Sequence, residues 1–459
     1  MSTVLINLRN LCLGVLLTGS ITAFSQDADE ALLQGYLQTA FNNNLVLQQK
    51  NIGMDKALLA LKSANALFLP SVDATAAYQT GDGGRYINLP IGDLLNPVYS
   101  TLNQMTGSSA FPQVENVQQS FLPNNFYDVK LHTTLPLFNT DLLYNRSIES
   151  KKIQLSELEV LTYKRELMKE VKTAWYSYSS AVAAVKIYES TLVLAQEGER
   201  VNTVLETNGK ALPAAVIRSK AEVASVSALL EEARRNADNA RLYFNFLLNV
   251  NPESPVSTAS SSLNTQGISQ SVSPADPSRR EELQSLSRAL EVRETVLRMQ
   301  RSFSIPQVGA FADFGLQADN MKFDEQSDYY LVGVQMNIPL FRGMGNRHKI
   351  AQTKLDMKLT QLKQEETRNA LQLSITAANN RLSSAIRSWQ ASSRQLEAAE
   401  SYHRLVEKGY REGVFSFIEM LDARNQQMNA RLQENLMAYK VRIAQADLER
   451  ETAAISLPQ

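Results

Sequence analysis

Two stretches of the chain read almost alike: "LPLFNTDLLYNR" (Leu135–Arg146) and "IPLFRGMGNRHK" (Ile338–Lys349). Each ends a run of alternating apolar and polar residues, and each precedes a long stretch without proline. Alternation with a period of two indicates a β-strand, and proline is tolerated at a strand end, where a ladder hydrogen bond is no longer needed. The repeated stretch therefore predicts, twice in one chain, a strand that passes into a very long helix.

Around these stretches, the order of features is the same in both halves of the chain. Upstream, "FLPSVDATAAY" (Phe68–Tyr78) resembles "SIPQVGAFADF" (Ser304–Phe314). Downstream, a glycine turn follows the Pro-Leu-Phe proline after 73 residues at Gly209 and after 74 residues at Gly413. We interpret this as the duplication of one large unit, because the period is far longer than that of solenoid repeats.

The long segments on both sides of each glycine repeat small and apolar residues with a 3,4 spacing, which indicates coiled-coil helices. In the first half these seam positions are Val171, Ala174, Tyr178, Ala181, Val185, Tyr188, Leu192 and Ala195, followed by Val216, Ser219, Val223, Val226, Leu230, Ala233, Ala237, Ala240, Phe244 and Leu247. Each outgoing helix, of about 66 residues, would reach roughly 100 Å. Seams alone are also typical of a structural rod.

Two shorter helices are predicted, at about residues 29–67 and 281–301. Either could stack end to end with a return helix, so that the pair matches one long outgoing helix. We expect the 281–301 helix to continue the first return helix, which stops near Asn249. We expect the N-terminal helix to extend the second return helix in the same way.

The N-terminus has the pattern of a secretory signal peptide. Arg9 precedes the apolar run "LCLGVLLTGSITAF", and Ala23-Phe24-Ser25 offers a small-x-small cleavage site. Cleavage there would remove Cys12, the only cysteine, so the predicted mature chain uses neither disulfides nor cysteine–metal chemistry. With 46 basic and 47 acidic residues the net charge is −1, which suggests no nucleic-acid partner.

Four runs carry strand alternation, each about as long as a membrane-spanning strand. They are "SVDATAAYQT", "FYDVKLHTTLPLF", "QVGAFADFGLQAD" and "YYLVGVQMNIPLF". One such strand alone would suit a soluble hairpin. Four strands cannot close a membrane barrel and eight leave little lumen, so a conducting tube needs at least three copies and about twelve strands.

These features divide the chain into nine predicted segments. They are a signal peptide (1–25), an N-terminal helix (26–67), a first β-hairpin (68–138) with a long loop (82–123), a first long helical hairpin (139–249), a Ser/Pro-rich linker (250–280), a short helix (281–304), a second β-hairpin (305–341), a second long helical hairpin (342–455) and a C-terminal tail (456–459).

With its duplicated strand–strand–helix layout and the stretch "YREGVFSFIEMLDARNQQ" (Tyr410–Gln427), the chain resembles the TolC-type outer-membrane efflux protein family. The resemblance implies a membrane α+β fold, in which four strands per chain complete a 12-stranded trimeric barrel and long antiparallel coiled-coil helices form a tunnel. It implies a homotrimer in the outer-membrane lipid of a Gram-negative bacterium, with the tunnel in the periplasm.

The same resemblance implies the channel of a tripartite efflux system, which gives substrates a passive exit across the periplasm. Its partners would be a periplasmic adaptor (a membrane fusion protein) and, through it, an inner-membrane pump of RND or ABC type. Two alternatives stay open: the outer-membrane component of a type I polypeptide secretion system, and a periplasmic coiled-coil adaptor or adhesin.

By resemblance, the periplasmic gate lies at the helix tips, with acidic residues after the second glycine turn. These match Glu419 and Asp422, which are three apart and so share a helical face. In a trimer, six carboxylates would favour cations, and crowding would raise some of their pKa values. The alternative reading is two solvated acids stabilised by the helix dipole. Tyr410 matches a tyrosine that helps to hold the tips closed by hydrogen bonds.

The sequence departs from the family pattern at two gate positions. Phe415 stands where well-known members have an arginine that ties neighbouring helices, and Ala215 stands where the first repeat has an aspartate. Our hypothesis is that closure depends on apolar packing by Phe415 and Phe417, assisted by Arg218 or Lys220.

The two turns are the predicted adaptor contacts, because helix-hairpin ends fit the tips of a partner's coiled coil. The residues concerned are Gly209, Lys210, Gly413 and Val414. An enzyme is not favoured, because His132, His348 and His403 show neither metal-ligand spacing nor a nearby nucleophile. The sequence thus predicts no catalytic residue, no metal site and no cofactor.

Overall fold

The structure, a computed structural model, describes residues 20–122, 124–258 and 276–455. Most of the predicted signal peptide, linker residues 259–275 and the tail at 456–459 lie outside the described residues. The described chain forms two compact units. The first holds the described residues up to Leu58, Lys151–Arg293 and those from Leu355 onward, and the second holds Leu59–Ser150 and Glu294–Lys354.

The long helices occur as two matched pairs. The first pair is α4 (Thr140–Thr207, 68 residues) and α5 (Pro213–Leu248, 36 residues). The second is α7 (Gly345–Arg411, 67 residues) and α8 (Phe417–Thr452, 36 residues). Among the described residues, no helix is long and apolar enough to cross a membrane. The near-equal lengths agree with a duplicated unit.

The predicted seams are buried over much of their length. In α4 and α5 the buried seam residues are Val171, Ala174, Ala195, Val216, Ser219, Val226, Leu230, Ala233, Ala237, Phe244 and Leu247. On the second pair, small residues such as Ala378, Ala385 and Ala444 pack with Val441 and Leu448. Small side chains let helix backbones approach closely, which is why alanine recurs at these positions.

The N-terminal segment is two helices rather than one. They are α1 (Ser20–Asn43) and α2 (Leu45–Ala66), separated at Asn44. The Asn44 side chain accepts a hydrogen bond from the Leu47 backbone N–H at 3.0 Å, as an N-cap does. The Tyr163 hydroxyl donates to the same oxygen at 3.0 Å, so the break is fixed by the neighbouring helix.

The expected end-to-end pairing of the short helices is wrong. The end of α5 meets the junction of α1 and α2, where Asn44 Nδ2 donates to the Leu247 carbonyl and Asn249 Nδ2 donates to the Asn43 carbonyl. The end of α8 instead meets the start of α6 (Glu281–Arg301), where Arg280 donates to Glu451 at 2.8 Å. The N-terminal helices therefore belong with the first return helix, and α6 belongs with the second.

The second unit contains an antiparallel sheet of four strands. The strands are β1 (Ser71–Gln79), β4 (Phe126–Phe138), β5 (Gln307–Asp319) and β6 (Asp328–Asn337). Their order in the sheet is β1-β4-β5-β6. Pro136 lies at a register irregularity in β4, where a missing N–H is tolerated. The four alternating runs of the sequence are these four strands.

The sheet has two unlike faces. On one face, the apolar side chains of β6 remain uncovered by the rest of the chain: Tyr330, Val332, Val334 and Met336 are each 64–77% exposed. Val129 and Leu131 of β4 continue this face. The opposite face carries Asp73, His132 and Asp313, which are register neighbours across three strands, and Lys130, which lies two residues before His132 on β4.

The insertion in the first hairpin is structured, not an extended loop. It contains β2 (Tyr86–Leu89), helix α3 (Ile91–Thr106) and β3 (Val117–Ser120), with β2 and β3 paired. Asn96 pins α3 by exchanging two hydrogen bonds with the Val114 backbone, at 2.8 and 3.0 Å. Asn103 does the same with the backbone of Phe111, at 2.8 and 3.1 Å.

Candidate channel gate at the helix tips

A glycine turn closes the first helical hairpin. Gly209 has φ +71°, in the left-handed region that favours glycine. Its N–H donates to the Glu206 carbonyl at 2.8 Å, and the Lys210 N–H donates to the Leu205 carbonyl at 2.7 Å. This pair of bonds is a Schellman cap, which satisfies carbonyls that the helix end leaves unpaired.

The second hairpin ends in the same way. Gly413 has φ +78°, its N–H donates to the Tyr410 carbonyl at 3.1 Å, and the Val414 N–H donates to the Gly409 carbonyl at 2.8 Å. The predicted docking residues thus occupy equivalent positions in two equivalent caps. Lys210 and Val414, the residues after the glycines, are both exposed.

Glu419 closes the first turn of α8. Its carboxylate accepts hydrogen bonds from the Ser416 backbone N–H at 2.7 Å and from the Ser416 hydroxyl at 2.8 Å, while the Glu419 N–H donates to Ser416 Oγ at 3.3 Å. This is a capping box. These bonds hold the pKa of Glu419 below its ordinary 4.5. Within one chain the shift is opposite to the rise expected from crowding in a trimer.

Asp422 lies one turn further along the same helix and is exposed. Its carboxylate accepts a hydrogen bond from Gln426 Nε2 at 2.7 Å. Neither Asp422 nor Glu419 makes an ion pair with any residue of the described chain. Both carboxylates are therefore available to set the local charge at this end of the helices.

Tyr410 packs in a small apolar cluster. Its ring lies 6.3 Å from that of Phe417, centroid to centroid. Both rings pack against the buried residues Val406, Met420 and Ala423. Burial raises the pKa of Tyr410. The residue that resembles a polar latch is thus part of an apolar contact in this chain.

Phe415 packs on the backbone of Gly409. A methyl group added at Gly409 would lie only 2.4 Å from Phe415 Cδ2, so a side chain there would displace the ring. Gly409 is buried and helical, which leaves contact with Phe415 as the reason for a glycine at this position. Sequence reasoning missed Gly409, because nothing in "VEKGYREG" shows which ring lies above it.

Between the two tips lies a cavity of about 610 Å³. It is lined by Val201, Asn202, Leu205, Lys210, Ala211, Leu212, Ala214, Ala215, Arg218, Tyr410, Arg411, Gly413, Phe415, Ser416, Phe417 and Ile418. The structure therefore brings Tyr410, Phe415 and Phe417 together with Arg218. It places Lys220, Glu419 and Asp422 outside the cavity lining.

Arg424 joins the two hairpins. Its Nη1 donates to the Leu194 carbonyl on α4 at 2.9 Å, although the two residues are 230 positions apart. Burial lowers the pKa of Arg424, and its Nε is buried without a partner among the described residues. The sequence shows an arginine in the signature stretch, but only the packing of α8 against α4 reveals its role.

In residues 20–122, 124–258 and 276–455, no group of three or more His, Cys, Asp or Glu side chains could hold a metal ion. The tips combine an apolar contact between the aromatic rings of Tyr410 and Phe417, a hydrogen bond between the two hairpins, and exposed carboxylates. Such a set can hold two helix tips together, and its carboxylates favour cations over anions.

The chain matches known proteins in sequence and in structure. Residues 277–453 match the family model of the outer membrane efflux protein. Compared with curated protein sequences, the chain has no match. Its fold is similar to the outer-membrane channel OprN, with 17% identity and a TM-score of 0.71 over 92% of this chain and 90% of that one.

Two further channels share the fold. The CmeC outer-membrane channel of Campylobacter jejuni has 15% identity and a TM-score of 0.71, over 92% of this chain and 85% of that one. The open-state MtrE outer-membrane channel of Neisseria gonorrhoeae has 15% identity and a TM-score of 0.71, over 92% of this chain and 88% of that one. Residues 277–453 thus match the family model of the outer membrane efflux protein, and the chain as a whole has the TolC-like α+β fold of these outer-membrane channels.

Proposed function

We propose that this chain is the outer-membrane channel of a tripartite efflux system, a passive duct for substrates delivered by an inner-membrane pump and a periplasmic adaptor. One observation carries the proposal. A single chain combines a sheet with an uncovered apolar face and two helices of 68 and 67 residues, each ended by the same glycine cap. An apolar sheet face suits lipid, and helices of roughly 100 Å suit a duct across the periplasm.

The working unit is a homotrimer. Within one chain, β1 and β6 are the two edges of the sheet, and their outer backbone groups have no strand partner among the described residues. Open edges of nine and ten residues invite pairing with another chain. Pairing β1 of one copy with β6 of the next, three times, closes twelve strands, whereas two copies would leave a barrel filled by its side chains.

The gate combines apolar packing with charge. Tyr410 and Phe417 pack in the apolar cluster of the second tip, and Phe415 packs on Gly409. The Arg424–Leu194 hydrogen bond ties this tip to the first hairpin. Glu419 and Asp422 supply exposed negative charge nearby. Three copies would bring six such carboxylates around the opening, which favours the passage of cations.

The adaptor docks on the tips. Leu212, Val414 and Ile418 are 70–74% exposed there, a cluster of large apolar side chains that the chain itself leaves uncovered. Lys210 adds a positive charge beside the first cap. An adaptor with apolar, acidic hairpin ends fits this surface, and the adaptor in turn connects the channel to a pump of RND or ABC type.

Disulfide trapping of the strand edges tests the trimer. Cysteine pairs, one in β1 and one in β6, should give a ladder of crosslinked species in outer-membrane fractions that stops at three copies. A second test is complementation, in which the gene restores export of small toxic compounds to a strain that lacks its own channel but keeps adaptor and pump. Finding only monomers, or crosslinked species that continue beyond three copies, would overturn the proposal. Restored export of a polypeptide alone would instead favour the secretion alternative.

A further inference from the structure

The polar face of the four-stranded sheet carries a compact charged cluster, which we call the strand cluster: Asp73, Asp128, Lys130, His132, Asp313 and Tyr329. Its members lie at three levels of the sheet, set by the alternate residues Asp128, Lys130 and His132 of β4, which share one face. His132 on β4 lies in register between Asp73 on β1 and Asp313 on β5, and Lys130 lies opposite Gly315 on the next rung. The register thus gathers ionisable groups from all four strands on one side of the sheet.

Hydrogen bonds and ion pairs tie the strand cluster together. His132 Nδ1 is hydrogen bonded to Asp313 Oδ1, and Lys130 Nζ lies 3.5 Å from Asp313 Oδ2. Lys130 Nζ also lies 4.0 Å from Asp128 Oδ2, and the Tyr329 hydroxyl donates to Asp128 Oδ1 at 2.9 Å. Strands β4, β5 and β6 are therefore linked by side chains as well as by their backbone ladder.

Gly315 makes room for this arrangement. A methyl group at Gly315 would lie 2.8 Å from Lys130 Cβ and 2.9 Å from Tyr329 Cε1. Without a side chain on β5 at this rung, Lys130 and Tyr329 approach each other across the strand. Asp313 is only 5% exposed, so its carboxylate is held in place by its two partners rather than free in solvent.

We propose that the strand cluster is the charge-selective element of the strand-built part of the pore, separate from the carboxylates at the helix tips. The proposal rests on the proposed function, because the polar face lines a lumen only when three copies close a barrel. Each copy contributes three carboxylates against one ammonium group, so three copies carry a net charge of −6 when the histidines are neutral. A ring of this sign favours cations over anions.

The test measures ion selectivity in planar lipid bilayers. Reversal potentials in a KCl gradient are compared in a Glu419→Gln/Asp422→Asn background, which removes the tip charge while glutamine keeps the capping acceptor. Asp73→Asn combined with Asp313→Asn should lower the K⁺/Cl⁻ permeability ratio roughly twofold or more, since charge lining a low-dielectric passage changes local ion concentration. Lys130→Gln should raise the ratio. Asp328→Asn, which removes one negative charge at the start of β6 on the opposite face, should leave the ratio unchanged.

The outcomes separate this proposal from the proposed function. Channels that conduct with an unchanged permeability ratio in both the aspartate and the Lys130 variants would overturn the selectivity role while leaving the channel intact. Absence of any conductance from well-folded wild-type protein would overturn the channel itself. If the aspartate variant fails to assemble, the Lys130 variant still decides, because its predicted effect has the opposite sign.

Discussion

The Arg424 guanidinium on α8 donates a 2.9 Å hydrogen bond to the Leu194 carbonyl on α4, and this bond joins the two helical hairpins near their tips. Hydrogen bonds from a charged donor typically contribute about 1.5–3 kcal/mol to the stability of the folded state, more than hydrogen bonds between neutral groups. The position matched to a tying arginine holds Phe415 in this chain. A cross-hairpin tie is nonetheless present, nine residues later.

Arg424→Ala should loosen the gate. Loss of the bond removes about 1.5–3 kcal/mol that favours the closed tips, so the open probability of single channels in bilayers should rise. Arg200→Ala is the matched control, because Arg200 is exposed, pairs with Glu197 three residues away on its own helix and does not line the cavity between the tips. Equal open probabilities for both variants would show that the tie does not hold the gate.

Gly409→Ala and Phe415→Ala should act alike, since each removes the same contact. The added methyl group in the first would lie 2.4 Å from Phe415 Cδ2 and push the ring away, and the second removes the ring. Both should raise single-channel conductance, and the double variant should add little to either, as expected for residues in direct contact. Val414→Ala, whose side chain is 72% exposed, should conduct as the wild type does. Additive effects of the two changes would contradict the shared contact.

The capping box at Ser416 and Glu419 predicts a pH-dependent helix end. The pKa of Glu419 is lowered by its hydrogen bonds from Ser416, so the folded state binds this proton less readily than the unfolded state. The stabilisation is full above the ordinary pKa of 4.5 and is lost as pH falls through the lowered value. Hydrogen exchange at residues 416–420 should therefore quicken, after correction for intrinsic rates, as the carboxylate protonates. Glu419→Gln should show no such step; a step of equal size in that variant would assign it to another group.

Arg280 should be costly to remove. It is 1% exposed and its guanidinium donates to Glu451 at 2.8 Å and to Glu282 at 2.6 Å. Breaking a buried ion pair leaves an uncompensated charge and costs about 3–5 kcal/mol. Arg280→Met should therefore lower the melting temperature of the purified protein strongly, and Arg280→Met with Glu451→Leu should recover part of the loss. The exposed pair of Arg200 and Glu197 is the control, since Arg200→Met should leave the melting temperature nearly unchanged.

Adaptor docking is best probed beside the glycines rather than at them. Gly209 and Gly413 have positive φ, where a side chain would strain the cap. Cysteines at Lys210 and Val414 keep the turn and should crosslink to the adaptor in cells, whereas a cysteine at Leu373, exposed but far along α7 from its tip, should not. Crosslinks from Leu373 but from neither tip position would move the docking surface away from the caps.

Much of the fold is readable from local sequence. Alternating residues fix the four strands, the 3,4 spacing fixes the long helices, and the glycines mark both caps because only a left-handed residue completes that turn. The helical insertion was not predicted, since Pro97 argues against a helix and the Asn96 and Asn103 contacts that pin it are formed only in the folded chain.

Long-range pairing is what the sequence does not show. The end of α5 meets the Asn44 junction and the end of α8 meets Arg280, the reverse of the expected arrangement, because contiguity along the chain does not decide which helix ends touch. The same holds at the tips. Glu419, Asp422 and Tyr410 were identified by position, whereas Gly409 and Arg424 depend on contacts with Phe415 and Leu194.

The central claim is that three copies of this chain form one pore, and single-channel recording with purified protein tests it most directly. We predict that detergent-solubilised trimers, reconstituted into planar lipid bilayers, give discrete conductance steps of uniform size, and that the open probability rises in the Arg424→Ala variant. Protein that remains monomeric in mild detergent, or trimers that never raise the conductance of the bilayer even in that variant, would contradict the account.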